Sequence, residues 1–187
     1  MVVKTGKKER VIILLDGSNF YHRLKEIGLE RFLKFDYRKL AQYLAHGRVI
    51  QECVYYVGLV RKEKGNKKSE ELVRYQQKLF AHLQSPQQNW VVKTGYMMKH
   101  DKDYKEKGVD VKIAVDILIK AYRNEYDTAI VVSSDTDLLP AITSVRELGK
   151  KVEYIGFSHN PSFGIQKEAT ESRLLTKFEI SQFLKSR

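Results

Sequence analysis

The stretch RVIILLDGSNFY, residues 10–21, decides how the rest of the chain is read. Val11 to Leu15 are apolar without a break, and the run ends on Asp16 and Gly17. A strand covered on both faces needs such an unbroken run, because neither side can meet water. The Asp-Gly pair then closes it as a turn and leaves a carboxylate at the strand's carboxyl end. The fold depends on whether this pattern recurs.

It does. VIQECVYYVG (49–58), NWVVKTGY (89–96), TAIVVSS (128–134) and KVEYIGF (151–157) read as four further strands. Helical spacing separates them: Asp36 caps Tyr37, Leu40, Ala41 and Leu44, while Leu72, Tyr75, Leu79 and Leu83 mark a second amphipathic helix. A third helix runs from Asp110 to about Arg123. A fourth, 137–148, carries Pro140 in its first turn and Gly149 as its C-cap. The polar stretch MKHDKDYKEKG (98–108) is expected to be a loop, and 171–184 to add a short strand and a closing helix. Strands alternating with helices predict an α/β protein, a three-layer α/β/α sandwich with a mostly parallel sheet. One domain is expected over 1–187, with a core at about 11–157 and 158–187 packing on it as an extension.

Composition narrows the partner. The 34 lysines and arginines outnumber 23 acids, leaving +11, a field that favours nucleic acid over a membrane surface. The single cysteine, Cys53, lies in an apolar run and reads as core; it can form neither an internal disulfide nor a cysteine zinc cluster. The chain shows no signal-peptide pattern and no run of membrane-spanning length, so a cytoplasmic protein without a membrane partner is expected.

In an open parallel sheet, ligands bind beyond the carboxyl ends of the strands. Asp16 follows the first strand there, and Asp135 and Asp137 follow the fourth. Asp110 shares a helix face with Ala114, Ile117 and Ala121, so it should reach the same edge from the first turn. Each acid alone has a structural use: Asp135 or Thr136 as a cap, Asp16 in a turn, Asp110 at a helix N-terminus. Together they repel one another unless a cation joins them, and Mg²⁺ or Mn²⁺ suits a set of carboxylates. Four acids at one edge of a basic protein favour the metal site. Asp116, four residues from both Lys112 and Lys120, reads instead as part of an exposed ion-pair ladder.

Two basic tracts flank that edge. Arg61, Lys62, Lys64, Lys67 and Lys68 follow the second strand, and Lys99, Lys102, Lys105 and Lys107 precede Asp110. Tyr21 and Tyr104 are candidates to stack on bases. The histidines are scattered, and none forms a convincing Ser–His or Cys–His pair.

Three blocks, LLDGSNFY, KGVDVKIAVDIL and YDTAIVVSSDTDLLPAI…GKKVEYIGF, occur in this order. They resemble the NYN domain of the PIN-like ribonuclease superfamily, in particular its LabA-like branch. The resemblance spans about 11–157 and implies a sheet ordered 3-2-1-4-5 with its switch between strands one and four. It implies a divalent-metal site for RNA phosphodiester cleavage, with Asp16, Asp110, Asp135 and Asp137 as ligands; the leading reading is an endonuclease acting on single-stranded or structured RNA, with exonucleolytic action left open. Asn19 matches a position that shapes the site. Ser134 and Thr136 stand where many relatives have Gly, and with Ser18 they are secondary candidates to narrow the pocket or add hydroxyl ligands. Two alternatives stay open: an inactive RNA-binding or scaffold module of the same fold, and a homodimeric assembly. A haloacid-dehalogenase-type phosphohydrolase would want a second Asp where Ser18 stands.

Overall fold

The computed structural model describes residues 8–63, 65–100 and 103–185, and over 96–100 and 103–107 the backbone alone. Seven strands form one sheet: β1 (Arg10–Asp16), β2 (Val49–Gly58), β3 (Val91–His100), β4 (Asp103–Lys107), β5 (Thr128–Val132), β6 (Lys151–Phe157) and β7 (Glu171–Leu175). Their order is β4-β3-β2-β1-β5-β6-β7. Only β4 runs antiparallel, against β3. The predicted order of the first five strands is therefore observed, as β3-β2-β1-β5-β6, and the reversal lies between β1 and β5.

Two-sided burial explains the unbroken apolar runs. Along β1, Val11, Ile13 and Leu15 point to one core, and Ile12 and Leu14 to the other. The first core packs under α1 (Gly17–Glu26), α2 (Tyr37–Ala45), α3 (Lys67–Leu83) and α7 (Lys177–Ser181). The second packs under α4 (Val109–Tyr122), α5 (Leu139–Glu147) and α6 (Phe163–Glu168). Three layers result. Among the described residues no helix is long and apolar enough to cross a membrane.

The expected helices form, with Asp36 accepting from the Lys39 N–H as the cap of α2. The stretch 128–134 ends as a strand at Val132. A single 3-10 turn, Thr136–Leu138, precedes α5, which leaves Pro140 in the helix's first turn. The segment 171–184 supplies β7 and α7 as expected.

The polar stretch 98–108 corrects the sequence reading. It is the far end of β3, an intervening pair of residues, and β4, a hairpin in which Tyr96 pairs with Lys107. β2 and β3 are last paired at Gly58 and Gly95, so the hairpin projects past the carboxyl edge of the parallel sheet and returns to it. It thereby delivers the first turn of α4, and Asp110 with it, to that edge.

Candidate metal centre

β1 ends on Asp16, whose backbone is paired with Tyr56 of β2. On the other side Leu15 pairs with Val132, so the next residue of each strand, Asp16 and Ser133, become neighbours beyond the ladder. The Ser133 hydroxyl donates to Asp16 Oδ2 at 3.0 Å, and the Asn19 N–H donates to Asp16 Oδ1 at 3.0 Å. Asp16 thus caps α1 while its carboxylate, 4% exposed, is held in place from two sides. The chain can turn this tightly because residue 17 is glycine. A Cβ there would lie 2.3 Å from Tyr55 Cε1 and 2.7 Å from the Tyr56 carbonyl oxygen.

Asp135 has two roles. Its Oδ1 accepts from the Asp137 N–H at 2.9 Å and so starts the 3-10 turn, and its own N–H donates to Ser133 Oγ at 3.1 Å. Asp110 arrives on the first turn of α4, after Gly108 in a left-handed conformation with φ 79°. One carboxylate oxygen each of Asp16, Asp110 and Asp135 lie within 4.8 Å of one another. Burial first, and then the Asp135 carboxylate, push the Asp110 carboxyl above its ordinary range; a backbone hydrogen bond opposes this, and Asp137 adds to it. Hard oxygen donors with little room between them suit a divalent cation. The donor set fits a hard divalent cation.

The remaining predicted residues separate. Asp137 is exposed and outside the three-carboxylate group. The side chain of Asn19 accepts from the Ser134 N–H at 3.2 Å, tying α1 to the turn after β5. Ser134 turns its hydroxyl to Tyr154 at 3.2 Å, Thr136 is exposed, and Ser18 lies in the first turn of α1. Asp116 is not in a helical ladder: it accepts from Lys93 at 2.7 Å and from the Tyr56 hydroxyl at 2.7 Å. Lys112 donates to the Thr94 carbonyl instead, and Lys120 pairs with Glu52 and Glu125.

Of the basic residues, Arg61, Lys62, Lys67 and Lys68 are exposed where β2 leaves the carboxyl edge and α3 begins, and Lys62 pairs with Glu70 at 3.0 Å. Tyr21 is half-buried on α1, its ring stacked on Phe32. Lys99, Lys105, Lys107 and Tyr104 lie on the projecting hairpin. Lys64 and Lys102 lie outside the described residues. Sequence reasoning missed Ser133, although extending the β1–β5 register by one residue puts it beside Asp16.

Comparison with known proteins agrees with this architecture. The family model "NYN domain" matches residues 10–175. An uncharacterized protein of Methanocaldococcus jannaschii is 41% identical over 61 residues, 33% of this chain and 25% of the relative, so the match spans about a quarter of that relative's length. A protein of unknown function from Vibrio parahaemolyticus has the same fold, with TM-score 0.66, 19% identity, and coverage of 98% of this chain and 100% of that one. The T5 5′-exonuclease with bound zinc aligns at TM-score 0.48 and 14% identity, over 84% of this chain and 60% of that one.

Proposed function

The chain belongs to the NYN domain family of PIN-like nucleases, and from that premise we propose that it is a divalent-metal-dependent ribonuclease, an endonuclease hydrolysing RNA phosphodiester bonds. The observation that carries the proposal is the convergence of Asp16, Asp110 and Asp135 from three separate elements to within 4.8 Å. These three would hold Mg²⁺ or Mn²⁺ directly, with Asp137 acting on them from outside. A bound cation supplies Lewis-acid activation of water and stabilises charge on the scissile phosphate.

The chain's own contribution is preorganisation. Ser133 and the Asn19 N–H fix the Asp16 carboxylate, Asp135 is held by the turn it caps, and Asn19 locks α1 against that turn. The basic residues after β2, with those of the hairpin, would take the phosphates on either side of the scissile bond. Removing one such contact should lower the slope of log affinity against log salt by about one.

The test is cleavage of single-stranded RNA with Mn²⁺, followed on a gel, in the wild type, Asp16→Asn and Asp135→Asn. Activity should fall more than about a hundredfold in both variants, beyond the usual effect of losing an outer-sphere partner. Equal cleavage by all three proteins would refute the proposal. Metal-independent RNA binding without cleavage would favour the inactive RNA-binding reading.

A further inference from the structure

The apolar face of α3 is longer than the core beneath it. Leu79 and Leu83 are buried, but Tyr75 and Leu72, one and two turns earlier on that face, are 37% and 48% exposed. They form one wall of a groove of about 520 Å³, within the range of small-molecule sites, ~300–1,000 Å³. The facing wall contains Gly17, Tyr21 and Phe32. The Tyr21 ring is stacked on Phe32 with centroids 5.0 Å apart and planes at 29°, so it stands as a fixed aromatic plate that is still 38% exposed.

We propose that this groove seats an unpaired nucleobase of the RNA strand that is cleaved at the aspartate centre. The assignment rests on the ribonuclease reading and specifies how that site holds its substrate. Three features select the occupant. Gly17 and Ser18 line the groove and directly follow Asp16, so a base held here belongs to a nucleotide close to the acids. Lys68 lies one turn before Leu72 on the same face, and Arg61 and Lys62 follow the lining residue Val60. The cations therefore border the apolar slot, as phosphates outside and a base inside require. Among the described residues Glu30 is the one acid on the lining; it repels phosphate and can accept hydrogen bonds from base N–H groups. Aromatic side chains beside a basic track are the usual platform for single-stranded nucleic acid.

Binding is measured by fluorescence anisotropy with Asp135→Asn as the parent protein, so that cleavage does not interfere. The probes are a short single-stranded RNA and an abasic ribose-phosphate chain of the same length. Tyr21→Ala and Leu72→Trp are compared with the parent. The tryptophan fills the groove from a half-exposed position, which keeps the test valid if losing Tyr21 loosens Phe32. Both variants should bind the RNA about tenfold more weakly, since stacking is lost. All three proteins should bind the abasic chain alike, since phosphate contacts persist. RNA binding equal to the parent's in both variants would overturn the proposal. A groove effect without cleavage by the wild type would refute the ribonuclease reading and support the groove; cleavage without a groove effect would do the reverse.

Discussion

The two edges of the parallel sheet treat their acids in opposite ways. At the amino edge Asp127, Glu153 and Glu52 each have a cation supplied by the chain. Arg10 meets Asp127 through two nitrogens, at 2.7 and 3.2 Å, Arg48 grips Glu153, and Lys120 meets Glu52 at 2.7 Å. At the carboxyl edge Asp16, Asp110 and Asp135 turn to a hydroxyl, to backbone N–H groups and to one another. The pKa directions follow: Arg10 holds the Asp127 carboxyl down at about 2, whereas burial and Asp135 push Asp110 up. An acid held by its own chain is structural. Acids crowded together beyond the strand ends present a donor set that a cation from solution could join.

Substitutions at the two edges should therefore separate stability from metal binding. The largest loss of stability is expected for Arg48→Met. The side chains of Arg48 and Glu153 are 16% and 15% exposed, so Glu153 would be left as a mostly buried lone charge. About 3 kcal/mol should be lost, seen as a lower urea midpoint at unchanged slope. Ser133→Ala should behave otherwise. It removes the hydroxyl that orients Asp16 Oδ2 and should weaken Mn²⁺ binding ten- to a hundredfold in titration calorimetry, while lowering the midpoint less than Arg48→Met does. If Ser133→Ala unfolds like Arg48→Met and binds Mn²⁺ normally, the contrast between the edges fails.

Asp110→Asn tests the repulsion itself. With EDTA present, removing one of three crowded carboxylates should raise stability by a few tenths to ~1 kcal/mol. With Mn²⁺ the order should reverse, because saturating metal at a hundred times Kd adds about 2.7 kcal/mol to a protein that can bind it. A variant less stable than wild type in EDTA would show that Asp110 serves the fold.

Much of this was legible in the sequence because parallel strands covered on both faces leave unbroken apolar runs, and the acids stand at the ends of those runs. What was missed has physical causes. The 96–107 hairpin carries a largely polar sequence that extends past the parallel sheet, so no hydrophobic period marks it. Asp116 was read against its own helix, but its partners, Lys93 and Tyr56, come from neighbouring strands, which intrahelical spacing does not register. Leu72 and Tyr75 have the spacing of core residues, and only the length of the sheet below shows that they overhang it. Both Asp135 and Asp137 were placed at the carboxyl end of the fourth strand from their position after it. In the structure Asp137 lies in the 3-10 turn that Asp135 caps and is exposed.

The smallest effect should be the most diagnostic. Asp127 has its carboxyl lowered from 3.8 to about 2, chiefly by its hydrogen bond with Arg10. A depressed value means that the unfolded chain takes up the proton first as pH falls. The stabilisation is therefore complete above about pH 4, declines below it, and is gone near pH 2. The side chain is 40% exposed, so solvent screens the pair and the contribution is held to ~0.2–1 kcal/mol. Asp127→Asn should thus be less stable than wild type at pH 6, with the gap closing towards pH 2 in parallel urea titrations. At pH 6 in EDTA, Asp110→Asn should differ from wild type in the opposite direction. Two aspartate-to-asparagine changes, one at each edge of the same sheet, would then shift stability with opposite signs. Only a chain that neutralises its acids at one edge and leaves them crowded at the other predicts that pair of results.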